Sequence, residues 1–316
     1  MHIGNVVYVK RKTNRTRQLL VIIPVALLVI IVAVAIISIF NGLSLIHPRH
    51  LAVSVKPPAT LGGYQDASFK SSTGIDDLKG WFFRSAQNKG NVIIVHGYGQ
   101  NRLQFGTETF NLIDSLVNGG YNVLAFDLRD SGESSGKNSS LGFYEKYDVL
   151  GAVDWVRQTS PGKTALLGYS TGASAAMLAA AENANINAVI ADTPFSDLRL
   201  FVSRHLSKWS SLPTFPFSST ILLTVEVLCR MDASKVSPDK ALKKLSPKPV
   251  LFIHSANDNS IPLNDNKPMY DSYINLAKGA SAVWYTQSGG HAGSFPADEA
   301  GYSSKVISFL DAALAG

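Results

Sequence analysis

The chain has 316 residues, 46% of them hydrophobic and 16% charged, with 25 Gly and 14 Pro, a balance that excludes disorder and collagen-like structure and suits one large globular domain. A single cysteine, Cys229, excludes an intrachain disulfide framework, and no Cys/His cluster has zinc-site spacing, so no metal or other cofactor is expected. The formal charge of +6 is concentrated in Lys10, Arg11, Lys12, Arg15 and Arg17; six less those five leaves about +1 for the rest, so no nucleic-acid partner is expected.

In chain order, residues 1–18 read as a basic tail. Leu19 to Phe40 follow without a charge, and Ser38 is their only polar side chain. As a helix rising ~1.5 Å per residue this stretch is roughly 33 Å long, enough to cross a hydrocarbon core of about 30 Å. A buried core helix usually carries a polar face, so a transmembrane helix is expected over 19–40. The flanking Lys and Arg predict a cytoplasmic N-terminus and an extracytoplasmic remainder. Ala33-Val34-Ala35 matches a signal-peptidase pattern, but the apolar run exceeds the ~7–15 residues of a signal peptide and favours an uncleaved signal-anchor.

Residues 41–60, interrupted by Pro48, Pro57 and Pro58, read as a stalk, and a folded domain is expected over 61–316. Strands are predicted at Ala67–Ser71, Leu78–Arg84, Val92–His96, Asn122–Asp127, Thr164–Gly168, Ala188–Asp192, Pro249–His254 and Ala282–Thr286. The first two form a hairpin across 73–77. The later ones are nearly all apolar, as parallel strands covered on both faces would be. Helices are predicted at Thr107–Asn118, Phe143–Thr159, Thr171–Asn183 and Ser303–Ala315. The alternation predicts an α/β fold: an open, mostly parallel, eight-stranded sheet flanked by helices, with ligands bound beyond the carboxyl ends of its strands. Residues 193–248 exceed an ordinary connection, which predicts a small helical cap over about 193–240 plus a further helix. Phe195, Leu198, Phe201, Leu206, Trp209, Phe215, Phe217, Leu222 and Leu223 make the cap apolar, either to pack helices on the sheet or to line an acyl pocket suited to lipophilic esters.

The pattern G-x-S-x-G occurs twice, at Gly132–Gly136 and Gly168–Gly172. It has chemical meaning only where a strand turns sharply into a helix and lifts the serine above the sheet. Ser170 follows the strand Thr164–Gly168 and precedes the Ala-rich run Ala173–Ala181, whereas Ser134 lies in a polar stretch and reads as a loop serine. A serine hydroxyl needs a base and the base an orienting carboxylate. His291, in the loop Ser288-Gly289-Gly290-His291-Ala292-Gly293 after the last strand, suits the base. Asp258, just after the strand Pro249–His254, is favoured as the acid over Asp192 and, more distantly, Asp265. The oxyanion needs two N–H donors: Thr171, after the nucleophile, and Tyr98, in the turn His96-Gly97-Tyr98-Gly99.

These residues, together with Asp127-Leu128-Arg129-Asp130-Ser131-Gly132-Glu133-Ser134, resemble the α/β-hydrolase superfamily over roughly 61–316. The last stretch is similar to the superfamily's structural D-x-R-x-x-G-x-S motif. With the N-terminal anchor, the chain looks most like the membrane-anchored, serine-dependent esterase-like members. The resemblance implies an acyl-enzyme mechanism with a Ser-His-Asp triad, cleaving carboxylic esters of small lipophilic substrates at a membrane. Thioester or peptide cleavage on the same apparatus remains open, as does a non-catalytic membrane-tethered binding protein of the same fold.

Overall fold

The computed structural model describes residues 15–277 and 280–315. Residues 1–14, which carry most of the expected basic tail, lie outside the described residues. Helix α1 (Arg15–Ile46) is apolar on every side between Leu19 and Phe40, and its stretch Gln18–Ile46 is long enough to cross a membrane. It runs past Phe40 into the segment expected to be a stalk. The rest of that segment lies against the domain: His50 Nε2–H donates to the Gly132 carbonyl (2.8 Å) and Asn101 Nδ2 to the Leu51 carbonyl (3.0 Å).

The sheet has eight strands: β1 (Gln65–Lys70), β2 (Asp77–Phe83), β3 (Gly90–Val95), β4 (Tyr121–Phe126), β5 (Thr164–Tyr169), β6 (Ala188–Asp192), β7 (Val250–Ser255) and β8 (Ala282–Thr286), in the spatial order β1-β2-β4-β3-β5-β6-β7-β8. Each coincides with an expected strand, with ends displaced by at most about two residues. β2 pairs antiparallel with β1 and β4, while every other pair is parallel. The first hairpin closes with Lys70 opposite Asp77. β3, β4, β5, β6 and β7 are buried along their whole length, which explains their unbroken apolar runs.

Helices cover both faces. Those between strands are α2 (Thr109–Asn118), α3 (Glu145–Thr159) and α4 (Thr171–Glu182), then α5 (Leu198–Ser210), α6 (Thr214–Cys229), α7 (Pro238–Leu245) and α8 (Leu263–Ala277). The chain closes with the short α9 (Ser294–Ala297) and α10 (Glu299–Ala313). On one face, Phe126, Val153, Met177 and Tyr270 belong to one core; on the other, Ile94, Leu112, Tyr169 and Leu310 belong to a second. α8 was not anticipated, because Asn264, Asp265, Asn266 and Pro268 give its start the look of a loop.

α5 and α6 lie between β6 and β7, and the chain turns by 109° from one to the other. Phe195, Leu198, Leu206, Phe217 and Leu222 are buried, as ordinary packing requires, but Trp209, Phe215 and Leu223 point outward. α6 lies along α1, with Ser38 Oγ and Thr220 Oγ1 hydrogen-bonded at 2.7 Å. A Cβ at Gly42 would collide with the Thr224 side chain, so only glycine lets the two helices meet this closely.

Candidate active site

β5 ends at Tyr169 and α4 begins at Thr171, so Ser170 alone makes the turn between strand and helix. Its backbone has φ 51° and ψ −118°, a conformation that costs a non-glycine residue on the order of 1–3 kcal/mol and persists only where the surroundings impose it. Two neighbours impose it here. The Ser170 N–H donates to the Asp192 carbonyl at the end of β6 (2.8 Å). A Cβ at Gly172 would overlap the His96 carbonyl, so the missing side chain lets α4 start directly against the end of β3.

The turn carries the Ser170 hydroxyl to His291, with Oγ and Nε2 2.8 Å apart. On the other side of the ring, Nδ1 lies 2.8 Å from Asp258 Oδ2. An ionised carboxylate can only accept, so Nδ1 carries the proton and Nε2 is left to accept from the Ser170 hydroxyl. Burial alone would raise the Asp258 pKa, but the hydrogen bond from His291, with the N–H groups of Ile261 and Ser260, outweighs it and holds the carboxyl below its ordinary value. The His291 loop is fastened beside it: Gly290 N–H donates to Asn257 Oδ1 (2.9 Å) and Ser255 Oγ to the Ser288 carbonyl (3.1 Å).

The other two acid candidates are engaged elsewhere. Asp192 is fully buried and accepts from the hydroxyls of Tyr302 (3.0 Å) and Thr193 (3.1 Å), and burial pushes its pKa up to about 7. Asp265 is bound to the cap, at 2.8 Å from His205 Nε2 and 3.0 Å from Arg204 Nη1.

The turn after β3 lies against the elbow: a Cβ on Gly97 would sit 3.3 Å from the Tyr169 carbonyl and 3.5 Å from Ser170 Cβ. His96 anchors it, with Nδ1–H donating to the Gly97 carbonyl (2.8 Å) and Nε2 accepting from Leu128 N–H (2.9 Å). Burial lowers the pKa of His96 and keeps the ring neutral, as this pair of bonds needs. Gln104 Oε1 takes the Gly97 N–H (2.7 Å). Among the described residues no protein acceptor takes the N–H of Tyr98 or Thr171, so both are free to donate to a bound oxygen.

Sequence reasoning missed Arg102 and Asp148 as supports, although it marks the stretch Asp127–Ser134 as structural. The Arg102 guanidinium is buried against Asp127 (2.6 Å) and lies over the Trp81 ring, 4.6 Å from its centroid. Arg129 makes a similar bridge to Asp148 (2.6 Å), so the stretch Asp127–Ser134 ties loops to the sheet. Ser134 belongs to this framework: its hydroxyl donates to the Asp127 carbonyl (2.6 Å) and accepts from Lys79 N–H (2.9 Å).

A strand–serine–helix elbow in a mostly parallel eight-stranded sheet, with a histidine carried on the loop after the last strand, defines an α/β-hydrolase. More specifically, the chain belongs to the α/β-hydrolase family described as serine aminopeptidase, S33, which it matches over residues 86–245. Protein YqkD of Bacillus subtilis is 30% identical over 239 residues, 74% of this chain and 75% of that protein. The lysophosphatidylserine lipase ABHD12 of Mus musculus is 25% identical over 64% of this chain, which spans half of that longer protein. An esterase from Pyrococcus furiosus has the same fold, with a TM-score of 0.69 at 23% identity over 84% of this chain and 97% of its own.

Proposed function

We propose that this chain is a membrane-anchored serine hydrolase that cleaves carboxylic esters by acyl transfer. The supporting observation is the unbroken relay from Ser170 Oγ through the His291 ring to Asp258, 2.8 Å at each step. Ser170 attacks the ester carbonyl while His291 Nε2 takes its proton; the imidazolium forms against a carboxylate already ionised. The backbone N–H groups of Tyr98 and Thr171 receive the oxyanion. His291 then returns the proton to the leaving alkoxide, and water repeats the sequence to release the acid from Ser170. Esters are the favoured bond because their leaving groups need the least assistance. A lipase and an esterase among the similar proteins agree with that choice, and the family's name supplies the rival, an amide at a peptide N-terminus.

Helix α1 serves as the anchor. Its apolar length and the five basic residues before Leu19 support a cytoplasmic N-terminus, with the hydrolase domain on the opposite face of the membrane. One set of assays on the full-length protein tests the whole reading. A fluorophosphonate is expected to label wild type and not Ser170→Ala, and p-nitrophenyl esters to turn over faster than aminoacyl p-nitroanilides. Failure of folded wild type to react would favour a non-catalytic binding role, and preference for the anilide would favour the peptidase. Protease added outside intact cells should reach the domain; full protection would reverse the topology.

A further inference from the structure

From Trp209 to Val225 the cap contains no charged side chain and no histidine. Three of its outward residues are large and apolar, with Phe215 88%, Leu223 57% and Trp209 43% exposed. Lys208, just before this stretch, turns its ammonium away onto the Asn259 carbonyl (2.8 Å), and Glu226, just after it, is paired with Arg199 (2.7 Å). An exposed apolar patch of this kind marks an interaction site. Its surroundings indicate the occupant. Between α6 and α1 runs a groove of about 690 Å³ lined by Ile31, Val34, Phe215, Leu223 and Val227, and the hydroxyls of Ser38, Thr220 and Thr224 along it are hydrogen-bonded to one another or to the helix backbone, so the patch continues onto the apolar surface of α1.

The contacts fix the depth of the cap relative to α1. Ser38 meets Thr220 and Gly42 meets Thr224, so α6 runs parallel to α1 with its beginning nearer the membrane centre. Counted from Leu19 at ~1.5 Å per residue, a core of about 30 Å ends close to Ser38. Residues beside Val34 then lie roughly 6 Å inside that boundary, and Leu45 roughly 10 Å outside it, at the headgroup layer.

We propose, on the reading of α1 as an anchor, that the start of α6 lies in the bilayer leaflet nearer the folded domain, with Phe215 among the acyl chains and Leu223 near the headgroups. The same placement brings the hydrolytic site to the membrane surface, because the Tyr98 hydroxyl donates to the Leu45 carbonyl in the last turn of α1 (2.8 Å). A lipophilic ester therefore reaches Ser170 from the headgroup layer without crossing water. An apolar helix face lying in the interface is a known mode of membrane attachment, with binding that scales with the area buried.

The test uses full-length protein in phosphatidylcholine–phosphatidylglycerol vesicles and a Cys229→Ser background, with an environment-sensitive fluorophore on Phe215→Cys, Leu223→Cys, Val29→Cys in α1, or Asp154→Cys on the remote α3. Lipids carrying a nitroxide on the headgroup, high on the acyl chain or at mid-chain act as depth-graded quenchers. Val29 is expected to be quenched most by the mid-chain group, Phe215 by the upper-chain group and Leu223 by the headgroup, with Asp154 unaffected. Quenching at Val29 with none at Phe215 overturns the proposal and leaves the anchor intact; no quenching at Val29 removes the anchor and the proposal together. Self-quenching between labelled chains at Phe215, without lipid quenching, would assign the patch to a second copy and also overturn it. A functional measurement runs alongside: Phe215→Glu combined with Leu223→Glu is expected to lower turnover of a long-chain ester dissolved in the vesicles about tenfold while leaving p-nitrophenyl acetate within about twofold. Equal effects on both esters would overturn the route of entry.

Discussion

The two G-x-S-x-G segments of this chain share a spelling and differ in everything else. At Gly132–Gly136 the central serine is buried, and its hydroxyl is spent on the Asp127 carbonyl and the Lys79 N–H. At Gly168–Gly172 the serine occupies a strained turn with positive φ, and its hydroxyl meets an imidazole. A fully buried strand before Ser170 and an alanine-rich helix after it create the turn; Ser134 has neither. The pattern therefore describes a possible backbone shape, and the flanking elements decide whether that shape is adopted.

Substitution can sharpen this contrast. Ser170→Ala and His291→Ala are each expected to reduce ester turnover by about 10⁴–10⁶, measured as kcat on the full-length protein with the fold checked by circular dichroism. Ser134→Ala, by comparison, should keep turnover within a few-fold. Asp258→Asn is expected to cost roughly 10⁴, since an amide no longer fixes the imidazole in the required tautomer, while Asp192→Asn should change kcat little. The reverse result would move the acid to the end of β6.

Stability should separate the serines in the opposite direction. Ser134→Ala leaves a buried carbonyl and N–H without their partner and is expected to lose about 1–3 kcal/mol in denaturant titrations. Ser170→Ala removes a hydroxyl at a strained turn and should lose less. A loss as large at Ser170 would mean that its hydroxyl is structural after all.

The last expected effect concerns Asp192 and pH. In the unfolded chain its carboxyl ionises near 3.8, whereas burial holds the folded one protonated up to about pH 7. Across that window the folded state binds more protons, so this residue makes stability fall as pH rises, with no further change above it. Asp192→Asn should flatten that component, so the variant's Tm gains on wild type between about pH 4 and 7. Parallel Tm curves would show that the carboxyl is already ionised in the fold.

Much of this architecture was legible in the sequence because each strand carries its own apolar run between turn residues. Ser170, Asp258 and His291 could be singled out because each follows a recognisable strand in the expected order. What lay hidden depends on contacts remote in sequence. Nothing local marks Gln104 as the acceptor for Gly97 or Arg102 as the partner of Asp127. α8 was missed because Pro268 and its polar neighbours imitate a loop, although Met269, Tyr270 and Tyr273 bury one of its faces. The expected span stops at Phe40, where the apolar run ends, whereas the helix continues to Ile46 with Gly42 admitting Thr224. The cap's apolar residues could not be sorted into packing and outward sets until α1 was seen beside α6.

The link between the Tyr98 hydroxyl and the Leu45 carbonyl has a practical consequence. Trimming the protein past Ile46 to make it easier to handle would cut away the support beneath the turn after β3 and lay bare the side of α6 that Gly42 shields. Activities measured on such a fragment would describe a loosened enzyme, and detergent or lipid chosen to suit the intact helix belongs among the reaction conditions.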